Sequence, residues 1–201
     1  TAISRENDIY EIQTVKDVYE TRWVVNSAGL NSAVISSMLG IDGYTIGGFK
    51  GEYFVLDKNT GKYMNMPVYP APRPDGGFGI HATPTMDGNI LIGPSSEYVD
   101  DFEDYGVTPP VMEDLLTEGA KMFKPFRKED IIRSFSGIRP KLIDKETKKP
   151  IDFVIERREE APNAINLVGI ESPGLTSALP IARRAVKLFM EVEILTINEN
   201  F

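Results

Sequence analysis

Few residues in this sequence can do chemistry, and three features stand out. His81 is the only histidine. It lies in an alternating run in which Phe78, Ile80 and Ala82 face one way and Gly79, His81 and Thr83 the other. A neutral imidazole on the polar face can act as a general base near pH 7. The plain alternative is a hydrogen-bonded structural histidine. Arg139 follows Gly137-Ile138 and precedes Pro140, which biases it towards extended backbone. Its guanidinium can take a carboxylate in a bidentate pair, or else form a surface salt bridge. Lys50 and Tyr53 are further candidates for holding an anion, and Arg73 is one more cation, in a proline loop. The third feature is the run Val168-Gly-Ile-Glu-Ser-Pro-Gly-Leu-Thr-Ser-Ala-Leu-Pro-Ile-Ala-Arg183. Its glycine-rich turn delivers unpaired backbone amides to a helix start, a site that favours negative charge. An ordinary strand-to-helix connection has the same composition.

Composition narrows the chemistry further. The 201 residues contain no Cys, which excludes disulfides, thiol catalysis and iron–sulfur ligation within this stretch. One His excludes a metal site built on several imidazoles. A net charge of −8 argues against nucleic acid as a partner, while leaving room for a small anion in a local basic pocket. The acidic run Asp100, Asp101, Glu103, Asp104 lacks the calcium-loop pattern and reads as a solvated loop. No targeting or membrane-spanning segment is visible. The chain begins at Thr1 rather than Met, which raises the expectation that more sequence precedes it.

The elements that must position these residues fall into three stretches. Ile9 to Thr14 and Val15 to Glu20 read as short strands. Arg22 to Asn26 reads as an apolar strand, stopped at Ser27-Ala28-Gly29. A helix follows with Leu30, Val34, Ile35, Met38 and Leu39 at helical spacing, Asn31 or Ser32 as N-cap and Gly40 as stop. The middle is strand-rich. Phe49 to Asp57 and Tyr63 to Tyr69 read as a hairpin across Lys58 to Gly61. A rigid loop carries Pro70, Pro72 and Pro74 with Asp75-Gly76-Gly77. Phe78 to Thr83 pairs with Asn89 to Ile92 across Asp87-Gly88. Ser95 to Thr108 reads as loop, and Pro109 or Pro110 opens a helix through Met122. Ile131 to Ile138 and Ile151 to Glu156 read as strands around an exposed turn, Lys141 to Lys149. The end returns to strand–turn–helix. Ala164 to Val168 leads through the glycine turn to a helix capped by Thr176 or Ser177. Leu179, Ala182, Val186, Phe189 and Met190 are expected inside, and Arg183, Arg184 and Lys187 outside. Two strand–turn–helix units bracket a strand-rich middle, which suggests a domain inserted into an α/β piece.

The Val168 to Arg183 run resembles the C-terminal flavin-contacting motif of FAD-dependent oxidoreductases of the D-amino-acid oxidase and glycine oxidase superfamily. Within it, the sequence is most similar to the glycerol-3-phosphate and L-2-hydroxyglutarate dehydrogenase branch. Further segments fit in the same order: Val24-Val25-Asn26-Ser27-Ala28-Gly29, Lys50-Gly51-Glu52-Tyr53, Gly79-Ile80-His81-Ala82-Thr83 with Asp87-Gly88 and Gly93-Pro94, Ser136-Gly137-Ile138-Arg139-Pro140, and Asp152 to Glu156. The likeness runs from about Arg22 to Ala185. It implies that FAD is contacted by Ala28 and Gly29 and by Gly169, Ile170, Ser172, Gly174, Leu175, Thr176 and Ser177. It also implies that the His81 strand faces the flavin and that Arg139 takes a substrate carboxylate or phosphate, with Lys50 and Tyr53 as lesser substrate-binding candidates. His81 would then take a hydroxyl proton while hydride leaves the same carbon for the flavin. The turn at Leu175 to Ser177 would stabilise charge on the reduced ring.

Such families open with a Gly-x-Gly-x-x-Gly pyrophosphate turn, and none occurs here. The expectation is therefore a C-terminal portion of a longer flavoprotein that binds FAD weakly or not at all by itself. The expected fold is α+β: a mixed, largely antiparallel sheet with flanking helices, plus part of an α/β FAD-binding domain. Residues 1–43 would belong to the FAD-binding domain, 44–160 to the substrate domain, and 161–201 to the returning FAD-binding strand and helix. The expected partners are a small anionic substrate, the missing N-terminal part of the FAD domain and an unknown electron acceptor. The expected setting is cytoplasmic or membrane-peripheral. The alternatives are a non-catalytic binding or assembly domain of the same fold, or an amino-acid or amine oxidase.

Overall fold

The computed structural model describes residues 1–71 and 79–193. The strands are β1 (Ala2–Glu6), β2 (Ile9–Gln13), β3 (Val18–Thr21), β4 (Val24–Asn26), β5 (Ile46–Leu56), β6 (His81–Pro84), β7 (Ile90–Gly93), β8 (Glu97–Val99), β9 (Ile131–Ile143), β10 (Pro150–Ile151), β11 (Val154–Arg158) and β12 (Ala161–Val168). The helices are α1 (Ser32–Met38), α2 (Pro109–Met122) and α3 (Ala178–Met190). The fold is α+β: β4 pairs with β12 in parallel, while β1–β2, β2–β3, β5–β7, β5–β8, β6–β7, β9–β10 and β11–β12 pair antiparallel. The chain divides into two compact units. One comprises residues 1–47 and 140–201, the other residues 48–139; the sequence reading sets its boundaries at 43/44 and 160/161.

In the first unit, β11, β12 and β4 form a three-stranded sheet with helices on both faces. Successive residues of a strand point to opposite faces. Val24 and Ala164 accordingly join Leu39, Ile41 and Tyr10 in one core, which includes the β1–β2–β3 meander. Trp23 and Ile165 join Ala185, Leu188 and Phe189 of α3 in the other. The parallel register pairs Asn166 with Asn26, so both strands end at the same edge. Each is followed there by a turn and a helix. No helix among the described residues is long and apolar enough to cross a membrane.

In the second unit the strand order is β9-β5-β7-β6, with β8 also paired to β5. One face of this sheet is the core. Phe54, Leu56, Ala82, Ile90 and Ile92 pack on Val111 and Leu115 of α2 and on Phe123 and Phe126. Gly119 of α2 leaves room for this contact, since a Cβ there would lie 2.6 Å from Ile92 Cγ2.

Several expectations are corrected. A strand, β1, precedes Ile9 and pairs with β2 through a tight turn in which Asn7 and Asp8 have positive φ. Tyr63 to Tyr69 is not the hairpin partner of β5. That stretch makes one bridge, Val68 to Ala82, while β5 pairs with β7, β8 and β9. The acidic loop contains strand β8. β9 runs on to Ile143 with Leu142 buried, so the exposed turn begins only at Asp144. On α1 the buried residues are Ser32 and Ser36, while Val34 is exposed. On α3 the buried stripe is Ile181, Ala185 and Leu188. Leu179, Val186 and Met190 are exposed, because the strands beneath the helix meet the neighbouring stripe. Arg73, Phe78 and most of the expected proline loop lie outside the described residues.

Candidate active site

The open face of the second unit's sheet, opposite α2, gathers three of the residues singled out above. The register aligns Phe54 with Ile92 and His81 with Gly93, which puts Tyr53, Gly93 and His81 in one row across β5, β7 and β6. Gly93 has φ +144°, and a Cβ there would lie 2.7 Å from Tyr53 Cδ1. The missing side chain is thus the space that the Tyr53 ring occupies. On its other side that ring stacks on Phe135 of β9, with centroids 5.0 Å apart and planes 5° from parallel. Arg139 lies over Gly51, where a Cβ would come 3.6 Å from Nη2. Its Nε donates to Phe49 O at 3.4 Å and its Nη2 to Ser95 O at 3.2 Å. Two backbone carbonyls therefore aim the guanidinium.

His81 points away from the core that holds Ala82 and Ile80. Its ring lies 5.3 Å from that of Tyr69. Nδ1 is buried without a partner among the described residues. Burial lowers its pKa from the ordinary value of 6.5; the backbone of Ile80 and Gly79 opposes this, and the charge of Arg139 adds to it. The imidazole is therefore neutral at pH 7. Burial raises the Tyr53 pKa, against the pull of Arg139.

Lys50 is not on this face. It alternates with Gly51 onto the core side and is 2 % exposed, with Nζ donating to Asp104 Oδ2 at 2.9 Å and Gly106 O at 3.0 Å. Sequence reasoning missed Ser95, Tyr69 and Phe135. The positions of Phe135, Gly137 and Arg139 at spacing two on one strand were the available signal for the last.

In the first unit, the turns after β4 and β12 both leave the carboxyl edge of the parallel pair. That is where α/β sheets hold dinucleotides. After β4, Gly29 takes φ +57°. Asn26 anchors this turn, donating from Nδ2 to Ser32 O and to Asn166 Oδ1, both at 2.8 Å, while Oδ1 accepts from Ala28 N at 3.3 Å. Asn166 Nδ2 reaches Ser36 Oγ at 3.4 Å. The sequence did not flag this buried polar group.

After β12, Gly169 takes φ +75° and lies so close to β9 that a Cβ would meet Leu142 Cβ at 2.7 Å. Glu171 pairs with Lys141 of β9 at 2.5 Å. Residues Ile170 to Thr176 line a cavity of about 380 Å³. Within the loop, Gly174 N donates to Glu171 O and Ser177 N to Pro173 O. Ser177 is the N-cap of α3 but makes no side-chain cap bond. Ser32 Oγ is fully buried with no partner among the described residues. An orphaned hydroxyl, two positive-φ glycines at one strand edge and a lined hollow suit a bound dinucleotide.

The sheet-edge turns have the shape of a dinucleotide bed, and the open face of the second unit sets a guanidinium, a tyrosine and an imidazole on one side of its sheet. The DAO family, FAD dependent oxidoreductase, matches residues 1–188, and the chain belongs to it. It is 32 % identical over 190 residues to a glycerol 3-phosphate dehydrogenase of Caloramator mitchellensis, covering 94 % of this chain and 38 % of that one. It is 35 % identical over 182 residues to a mitochondrial L-2-hydroxyglutarate dehydrogenase of Arabidopsis thaliana, covering 83 % and 37 %. The structure of a dithionite-reduced L-alpha-glycerophosphate oxidase from Mycoplasma pneumoniae with FAD bound superposes with a TM-score of 0.86 at 29 % identity. That likeness covers all of this chain and 51 % of the other. The chain thus spans about two-fifths to half the length of these relatives.

Proposed function

We propose that this chain is the substrate-binding and partial FAD-binding portion of a flavin-dependent oxidoreductase. Its substrate is a small anionic hydroxy compound, glycerol 3-phosphate or a 2-hydroxy acid. The observation that carries this reading is the shared open face of Arg139, Tyr53 and a neutral His81, with two carbonyls aiming the guanidinium. The relatives named for glycerol 3-phosphate and L-2-hydroxyglutarate support the choice of substrate class.

Residues 48–139 serve as the substrate unit, and residues 1–47 with 140–201 as the FAD-binding part. Arg139 holds the phosphate or carboxylate by charge-assisted hydrogen bonds. Tyr53, held flat by Phe135 and Gly93, walls the site. His81 accepts the hydroxyl proton on an imidazole nitrogen as the carbon gives up hydride, leaving a carbonyl. FAD, when bound, supplies the two-electron acceptor. Ala28 and Gly29, with Gly169, Ile170, Ser172 and Gly174, shape its bed. The amides of Gly174 and Ser177 are already spent inside the loop. Those of Leu175 and Thr176 are the ones that would stabilise negative charge on a bound flavin, the role the family resemblance implies for this turn.

The test is anaerobic mixing of the FAD-loaded holoenzyme with glycerol 3-phosphate and with L-2-hydroxyglutarate. One of them is expected to bleach the flavin bands. Arg139→Met should raise the concentration required about 100-fold, the worth of a lost charged hydrogen-bond pair. A holoenzyme bleached by neither compound, or an Arg139→Met variant with unchanged affinity, overturns the assignment.

A further inference from the structure

Glu52 is completely buried and Lys50 nearly so, on the side of β5 otherwise occupied by Phe54 and Leu56. Their charged groups are 3.7 Å apart. Buried charges demand compensation, and hydrophobic residues of similar volume fill such places without it. What these two touch is one segment, residues 95–108. The Glu52 carboxylate accepts from Thr108 N at 2.9 Å and Thr108 Oγ1 at 3.1 Å. Thr108 stands at the N-cap position of α2 without a side-chain cap bond, and the next two residues, Pro109 and Pro110, have no N–H, so Glu52 takes the last amide before the helix. The backbone of the same residue holds the other end of the segment: Glu52 N donates to Ser95 Oγ at 3.1 Å, and Ser95 N donates to Glu52 O at 3.2 Å. Between these ends, Lys50 binds Asp104 and Gly106 O, and β8 is laddered onto Gly48 to Lys50. Ser136 Oγ adds a bond to Tyr105 O at 2.8 Å.

We infer that the buried Lys50–Glu52 pair positions Arg139: it latches the 95–108 segment to β5, and that segment's first carbonyl, Ser95 O, forms half of the guanidinium's cradle. Lys50 and Glu52 thus set substrate affinity without touching substrate. This rests on the reading of Arg139 as the anion-binding residue.

The experiment is a double-mutant cycle on the FAD-loaded holoenzyme, with glycerol 3-phosphate and L-2-hydroxyglutarate as substrates. Removing Lys50 or Glu52 leaves a lone buried charge and risks the fold, so the cycle perturbs Asp104, whose side chain is 47 % exposed. Asp104→Ala is expected to raise KM about tenfold with kcat nearly unchanged and Tm lower by about 2–6 °C, and Asp104→Glu to restore KM. In the Arg139→Met background, Asp104→Ala should change KM no further, because the latch acts through Arg139. The Kd of malonate, read from the flavin absorbance shift, should follow the same pattern. If Arg139→Met raises KM while Asp104→Ala leaves it alone, or if the two effects multiply, the latch is wrong and the Arg139 reading stands. If Arg139→Met itself leaves KM unchanged, both fall.

Discussion

Gly93 gives the sharpest test of the site geometry. Replacing it with alanine does two things. The backbone φ of +144° is one that a residue with a Cβ adopts only under strain, about 1–3 kcal/mol. The new Cβ would also lie 2.6 Å from Glu52 O and 2.7 Å from Tyr53 Cδ1. Forcing those neighbours aside costs about 1–3 kcal/mol more. Together the loss is about 2–6 kcal/mol. With a urea slope of about 2 kcal/mol per molar, the unfolding midpoint should fall by about 1–3 M. Gly88→Ala is the internal control. Gly88 has φ +88° but nothing within 4 Å of its Cβ position, so only the strain remains, about 1–2 kcal/mol. Far-UV circular dichroism reads the midpoint, and near-UV dichroism reports the Tyr53–Phe135 stack. Should Gly93→Ala unfold at the same urea concentration as the parent, or no earlier than Gly88→Ala, then Tyr53 does not occupy the space at Gly93 and the aromatic wall is misassigned.

Two more outcomes follow from the buried polar groups. The folded-state pKa of His81 is lowered, so protonation favours the unfolded chain. The stability owed to the neutral ring is full above about pH 6.5 and is lost as pH falls from there to the lowered value. Thermal melts of the parent and of His81→Asn, from pH 7.5 to 4.5, should diverge in that window to the parent's disadvantage. A constant gap would count against a buried neutral imidazole. Asn26→Ala removes the donor to Ser32 O and Asn166 Oδ1 and the acceptor for Ala28 N, leaving buried groups unpaired at about 1–3 kcal/mol each. A Tm lower by about 5–15 °C is expected, and a drop under about 2 °C contradicts the network.

The sequence revealed most where local chemistry and burial agree. Alternation put Ala82 in the core and His81 on the other face, and the structure has them so. Gly40 and Gly88 mark stops and turns because both need positive φ. The misses share one cause, namely that tertiary partners decided what local pattern could not. Lys50 stands in the sequence as a candidate for holding an anion, yet it and Glu52 face inwards because residues 104–108 arrive to pair with them. Ser32 and Ser36 look like the wet side of α1, but Asn26 and Asn166 form a polar seam beneath them. On α3 two adjacent apolar stripes compete, and nothing local says which meets Ile165. Strand β8 hides in an acidic run because it is a three-residue rung on β5 rather than a hydrophobic strand.

The Asn26–Asn166 rung also bears on how the chain assembles. Its two amides are 140 residues apart in sequence. A flexible loop of that length costs about 4 kcal/mol to close, by (3/2)RT ln n. Residues 48–139 lie inside it, and they begin and end on β5 and β9, which are hydrogen-bonded neighbours. Once those residues are folded, the loop left to close is about 50 residues, and the entropy of closure falls by about 1 kcal/mol. The rung then fixes the register: a slip of one residue would set Asn26 against Ile165 or Leu167 and strand two buried amides. The nested unit shortens the search, and the amide pair rejects its near misses.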